Sequence, residues 1–241
     1  MKKLLKLVLT IIMLSSIVVM MTGCGDDDTS SSKSKKKSNN TTNNSVVEEE
    51  STNKNGVVEV EYLGITEYGD FAYKVKNNGK KPAYIESVDT IFKDADGNFV
   101  KKEESDVQYF TVEPNSEVVN YAWGYDEDYS QYPNYEFEVK YSDSYMKDYY
   151  FTEGFEVTSN DTGKQIAVSV KNNNKKDVES MKVLVAFYNG GKIVGVQTGY
   201  ASGAVKSGET GYINISYPYD SDYNKVTYDK FETYLLSAYT Y

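Results

Sequence analysis

Two stretches of this chain concentrate the residues best suited to recognising a ligand. Trp123, Tyr125, Tyr129 and Tyr132 lie between Tyr121 and Tyr135, interrupted by Asp126-Glu127-Asp128, and Tyr217, Tyr219 and Tyr223 lie in a second acid-containing stretch. Tyrosine gives a large, rigid contact area at low entropic cost, which suits binding loops. Flat aromatic faces beside carboxylates also suit sugars, whose C–H groups stack while their hydroxyls donate to the acids. Each ring has a plainer use as well, capping the end of a core with its hydroxyl in water. These seven residues are the candidate binding set.

The residue types that carry most catalysis are absent. Among 241 residues there is no histidine, no arginine and one cysteine, Cys24. No side chain therefore has an unperturbed pKa near neutrality, and no guanidinium can clamp a phosphate at two points. Cys-His and Ser-His nucleophile pairs are excluded. Carboxylate and Ser-Lys chemistry survive without a recognisable motif. A glycosidase needs two carboxylates at a set separation, and nothing here inserts a cleft around such a pair. Asp94, Asp96 and Asn98 share the opening spacing of a calcium loop, but the twelfth position is Ser105 rather than glutamate, so a hairpin turn is expected instead. The chain is read as non-enzymatic, with no metal site and no cofactor.

Lys2, Lys3 and Lys6 make a positive start, residues 4–21 are an apolar stretch broken by little polarity, and Met21-Thr22-Gly23-Cys24 follows. This is the order of a secretory signal peptide. The apolar run also has the length of a short membrane-spanning helix, which an uncleaved segment would use. The small residues before a lone cysteine resemble the lipobox of bacterial lipoproteins. That resemblance implies cleavage before Cys24, a diacylglyceryl group on its sulfur, and residence on the outer face of the cytoplasmic membrane of a Gram-positive bacterium. Removing residues 1–23 leaves 218 residues and moves the formal charge from −10 to −13, because three lysines leave. So acidic a chain is a poor partner for nucleic acid, whose phosphates require clustered cations.

Residues 24–56 hold Ser, Thr, Asn and Lys runs with few apolar residues, the composition of a disordered tether. Beyond it the chain repeats. Phe71-Ala72-Tyr73-Lys74-Val75-Lys76-Asn77-Asn78 matches Ile166-Ala167-Val168-Ser169-Val170-Lys171-Asn172-Asn173, 95 positions later, and Phe92 meets Phe187 at the same offset. Glu113-Pro114-Asn115-Ser116-Glu117 then corresponds to Lys206-Ser207-Gly208-Glu209. Apolar residues alternate within each copy, as half-buried strands require: Phe71, Tyr73 and Val75 in one, Met181, Val183, Val185 and Phe187 in the other. Asn- and Gly-rich turns separate these runs. The expected architecture is all-β: two tandem immunoglobulin-like β-sandwiches, residues 57–147 and 148–241.

Each copy resembles the FxLYD-type domain of Gram-positive surface lipoproteins. The shared features are Val75-Lys76-Asn77 and Val170-Lys171-Asn172, then Phe92 or Phe187 followed by a glycine turn, then a Pro/Gly-Glu turn. The resemblance implies an immunoglobulin-like sandwich in the cell envelope, and no reaction. The functional expectation is a lipid-anchored protein whose two domains bind an envelope or extracellular protein or glycan. The alternative is a structural spacer, or an accessory subunit of a membrane transporter or wall enzyme.

Overall fold

A computed structural model describes residues 44–48, 56–124, 127–143, 149–201 and 203–240. Residues 1–23, Cys24, most of the tether and Tyr125 lie outside the described residues. The first copy contains β2 (Val58–Ile65), β3 (Phe71–Asn77), β4 (Ala83–Lys93), β5 (Phe99–Glu104), β6 (Phe110–Val112), β7 (Ser116–Ala122) and β8 (Asn134–Ser142). The second contains β9 (Tyr150–Phe151), β10 (Phe155–Asp161), β11 (Ile166–Asn172), β12 (Ser180–Asn189), β13 (Lys192–Tyr200), β14 (Thr210–Ile215) and β15 (Lys230–Tyr239). Sheet β2-β3-β7 matches β10-β11-β14, and sheet β8-β4-β5 matches β15-β12-β13, so each copy is a two-sheet antiparallel sandwich. The fold is all-β, as the alternation and turn spacing anticipate. Among the described residues no helix is long and apolar enough to cross a membrane.

One correction falls in the tether. Strand β1 (Asn44–Glu48) pairs in parallel with the edge of β8, Val46 opposite Val139. Val46-Val47 are the only apolar residues of an otherwise polar stretch, and β8 offers an open row of backbone donors and acceptors beside them.

The repeated Val-Lys-Asn signature has a structural cause. Asn77 is buried at the end of β3; its amide donates to Lys81 O at 2.8 Å and Val112 O at 2.9 Å, and its oxygen accepts from Gly79 N–H at 2.8 Å. Asn172 does the same in the second copy, with Lys176 O at 2.8 Å, Val205 O at 3.2 Å and Asn174 N–H at 3.0 Å. One side chain thus closes a turn and ties it to a strand more than thirty residues away, satisfying three backbone groups that burial would otherwise leave unpaired. The turns before β7 and β14 also coincide, with Asn115 and Gly208 both at positive φ, 55° and 78°.

The two copies differ on the outward face of one sheet. In the first, Asp89 on β4 lies opposite Glu138 on β8, and Lys102 of β5 bridges both, at 2.6 and 3.0 Å. In the second, Leu184 on β12 lies opposite Tyr234 on β15, and the residue matching Lys102 is Val196 of β13. A charged triad has become an apolar one. Leu184, Ala186, Ile193, Val196 and Leu236 pack into the first copy's core cluster, while Met181, Val183, Val185 and Phe187 on the inner face fill the second. Strand β12 is therefore buried on both faces, and residues 41–241 form one compact unit. The seam is also hydrogen-bonded, Glu67 N–H to Val194 O at 3.1 Å and Thr152 Oγ1 to Glu113 Oε1 at 2.6 Å.

Leu184→Asp, which restores the first copy's residue without its lysine, places an unpaired carboxylate in this seam. It is expected to destabilise the protein by about 3–5 kcal/mol. Urea titration of the full chain measures this, and a loss below about 1 kcal/mol would contradict burial of that face.

A candidate binding groove between the two sandwiches

The seam opens at one end into a groove of about 300 Å³. Tyr68, Asp70, Asp106, Tyr121 and Trp123 line it from the first copy, and β13 with the loop at residues 218–223 lines it from the second. Its position follows from the β2–β3 turn. Thr66 Oγ1 accepts from Asp70 N–H at 3.0 Å and donates to Asp70 Oδ2 at 3.2 Å, which fixes the carboxylate. Asp70 Oδ1 then accepts from Gly124 N–H at 3.0 Å, across 54 residues of sequence. Gly124 lies so close to the backbone of Gly69 and Asp70 that a Cβ there would collide with it. On the other side of Trp123, its carbonyl accepts from Tyr129 Oη at 2.7 Å. Trp123 thus sits on a loop fixed at two points, with 59 % of its surface exposed.

The opposite wall is a turn with a repeated pattern. Asp220-Ser221-Asp222-Tyr223-Asn224 has the same D-x-D-x-N spacing as Asp94-Ala95-Asp96-Gly97-Asn98. In both, the first Asp accepts from the backbone N–H two and four residues on and from the side-chain amide of the final Asn. Both oxygens of Asp94 are thereby turned into the loop's own donors, the hairpin use of this spacing. The fourth position takes positive φ in each turn, 83° at Gly97 and 63° at Tyr223. Glycine adopts that conformation freely, whereas an L-residue does so at a cost of about 1 kcal/mol. Tyr223 nevertheless holds it with 69 % of its surface exposed, and its ring meets the edge of Tyr68 from the other copy at 6.5 Å. Tyr219 is 41 % exposed on the same wall. Gly195 lets Pro218 pack directly on β13, which sets the wall's distance.

Acids and polar groups complete the lining. Tyr121 Oη donates to Asp106 Oδ2 at 2.8 Å, and Gln197 and Thr198 of β13 are part of the lining. Asp70 is only 4 % exposed. Burial, opposed by the Gly124 N–H and the Thr66 hydroxyl and reinforced by repulsion from Asp106, pushes its pKa up to about 6. Burial and the Asp106 carboxylate likewise push the Tyr121 hydroxyl up.

Of the seven candidates, Trp123, Tyr219 and Tyr223 meet at this groove. Tyr129 does not: it is buried and stacks on Phe92 at 4.8 Å. Tyr132 is half-buried and donates to Glu127 Oε1 at 2.9 Å. Tyr217 caps the second core, donating to Asp161 Oδ1 at 2.5 Å beneath Lys225, whose ammonium lies 3.4 Å from the ring centre. Tyr228 also donates to Asp161, and the two hydroxyls hold that carboxyl down to about 2. Tyr228 meets Phe187 edge-on at 4.9 Å, where Tyr129 stacks on Phe92 in the first copy, so each copy sets a tyrosine against the repeated phenylalanine. Tyr125 and Cys24 lie outside the described residues. Tyr68, Asp70, Asp106, Gln197 and Thr198 complete the lining; in the sequence only the Gly69-Asp70 turn beside Tyr68 marks any of them.

No protein-family model matches this chain, and comparison with curated proteins finds no match.

The raised pKa of Asp70 has a signed consequence. The folded state holds this proton more tightly than the unfolded state, so the stabilising contribution is complete below about pH 4. It is lost as pH rises through about 6. Asp70→Asn keeps an acceptor for Gly124 N–H and removes the titration. Its stability relative to the parent is expected to grow by about 2–3 kcal/mol between pH 4 and pH 7, measured by chemical denaturation.

Proposed function

We propose that this chain is a non-enzymatic, lipid-anchored protein of the outer face of a bacterial cytoplasmic membrane that binds an envelope glycan in the groove between its sandwiches. The anchor rests on the lipobox-like Met21-Thr22-Gly23-Cys24 and the signal segment before it. Envelope residence also rests on the likeness of each copy to FxLYD-type domains. The observation that carries the binding reading is the convergence of Trp123, Tyr219 and Tyr223, from loops about a hundred residues apart, on one polar-floored groove. Tyr223 adds weight, because backbone strain tolerated in an exposed turn favours a role for its ring beyond folding. Aromatic faces with Gln197, Thr198 and carboxylates beside them fit a polyhydroxylated ring.

A rigid spacer or an accessory subunit is the second reading, favoured by the buried seam that fixes the two sandwiches. Binding data separate the two. Full-length protein is expected to bind envelope glycan fractions saturably, and Trp123→Ala to weaken that binding at least tenfold. Tyr223→Gly should also weaken binding while raising stability by about 0.5–1 kcal/mol, a split that a purely structural ring would not produce. Absence of saturable binding leaves the spacer.

Cys24 provides a separate test of the anchor. Mass spectrometry of mature protein is expected to find a diacylglyceryl thioether on an N-terminal Cys24, and Cys24→Ser to shift the protein out of the membrane fraction. An unmodified sulfur would overturn lipidation.

A further inference from the structure

We infer that the glycan recognised in this groove carries a free amino group, bound as an ammonium beside Asp70 and Asp106. The inference rests on the glycan reading above and specifies the ligand within it. Among the described residues the groove lining includes two carboxylates and no lysine. A ligand acid or phosphate would meet only like charge there, in a chain whose formal charge is already −10. A neutral sugar would stack on the rings and donate a hydroxyl to Asp106 but would not neutralise its charge. Asp106 is solvent-exposed and spends one oxygen on Tyr121, with no partner for the other among the described residues. Burial chiefly, with a smaller contribution from the Asp106 charge, disfavours the ionised form of Asp70. A cation placed beside the two acids would favour the carboxylate form.

The rings favour the same charge. An aromatic face attracts an ammonium, more strongly as water is excluded. Elsewhere this chain uses that contact internally: Lys225 lies over Tyr217 at 3.4 Å, Lys182 over Tyr200 at 5.2 Å and Lys230 over Tyr188 at 5.5 Å. Among the described residues that line the groove none is a cation, so an ammonium there would come from the ligand. Gln197 and Thr198, in the lining beside the aromatic rings, suit the hydroxyls of an amino sugar as well as its ammonium.

Trp123 is the only tryptophan in the chain and stands at the site, so its fluorescence reports occupancy. Full-length protein is titrated with glucosamine tetramer and, separately, with N-acetylglucosamine tetramer near pH 7, above the pKa of about 6 at which Asp70 ionises. The expected result is at least tenfold tighter binding of the free amine, weakened by added salt. Asp106→Asn should weaken binding of the free-amine tetramer at least tenfold more than binding of the acetylated tetramer, so that the preference is lost. Equal or tighter binding of the acetylated tetramer, lost in Trp123→Ala, would overturn the amine inference and leave the glycan reading intact. A response to a lysine-containing peptide but to neither sugar would overturn both, as would no response to any of the three.

Discussion

Sheet β13-β12-β15 has to satisfy two cores at once. Its inner face closes the second sandwich and its outer face completes the apolar cluster of the first. Five outward side chains, Leu184, Ala186, Ile193, Val196 and Leu236, leave water in this way. At about 1.5–3 kcal/mol for a larger aliphatic residue and less for alanine, the seam contributes on the order of 10 kcal/mol before ordering costs. Sandwiches joined only by a linker would reorient freely. Here the wall carrying Tyr219 and Tyr223 is held at a fixed distance from Trp123, and the groove exists because of that constraint.

Much of this architecture was legible in the sequence, and the parts that were not share a cause. The duplication and the turns could be read because they are local: Asn77 and Asn172 recur with their following turns, and each clamps its own copy. Alternation through Met181, Val183, Val185 and Phe187 correctly found the inner face of β12. Alternation alone says nothing of Leu184 and Ala186, but Val183-Leu184-Val185-Ala186-Phe187 is an unbroken apolar run, the mark of a strand covered on both sides. The strand in the tether was missed because composition averages over a long stretch, while two valines beside an open edge suffice for pairing.

The aromatic loops show the limit more sharply. Their sequences place rings together but do not say where each hydroxyl goes. Tyr129 and Tyr217 bury their rings in the cores while their hydroxyls donate to Trp123 O and Asp161, whereas Trp123, Tyr219 and Tyr223 remain exposed at the groove. Asp70 and Asp106 could not be singled out among 36 acidic residues, because their significance depends on Gly124 and Tyr121 approaching from distant strands. The comparison of Gly97 with Tyr223 was available in the sequence as two D-x-D-x-N turns. Its meaning depends on backbone angles that spacing alone does not reveal.

The contrast between the Asp89–Lys102–Glu138 triad and its apolar counterpart also limits assembly. Contact between related but non-identical faces is head-to-tail, and such contacts grow into filaments when every module carries both halves. The first module lacks the greasy wall: ion pairs occupy the surface on which another module would have to stack. Stacking of a further module by this route therefore ends at the pair, because the surface it would need is charged.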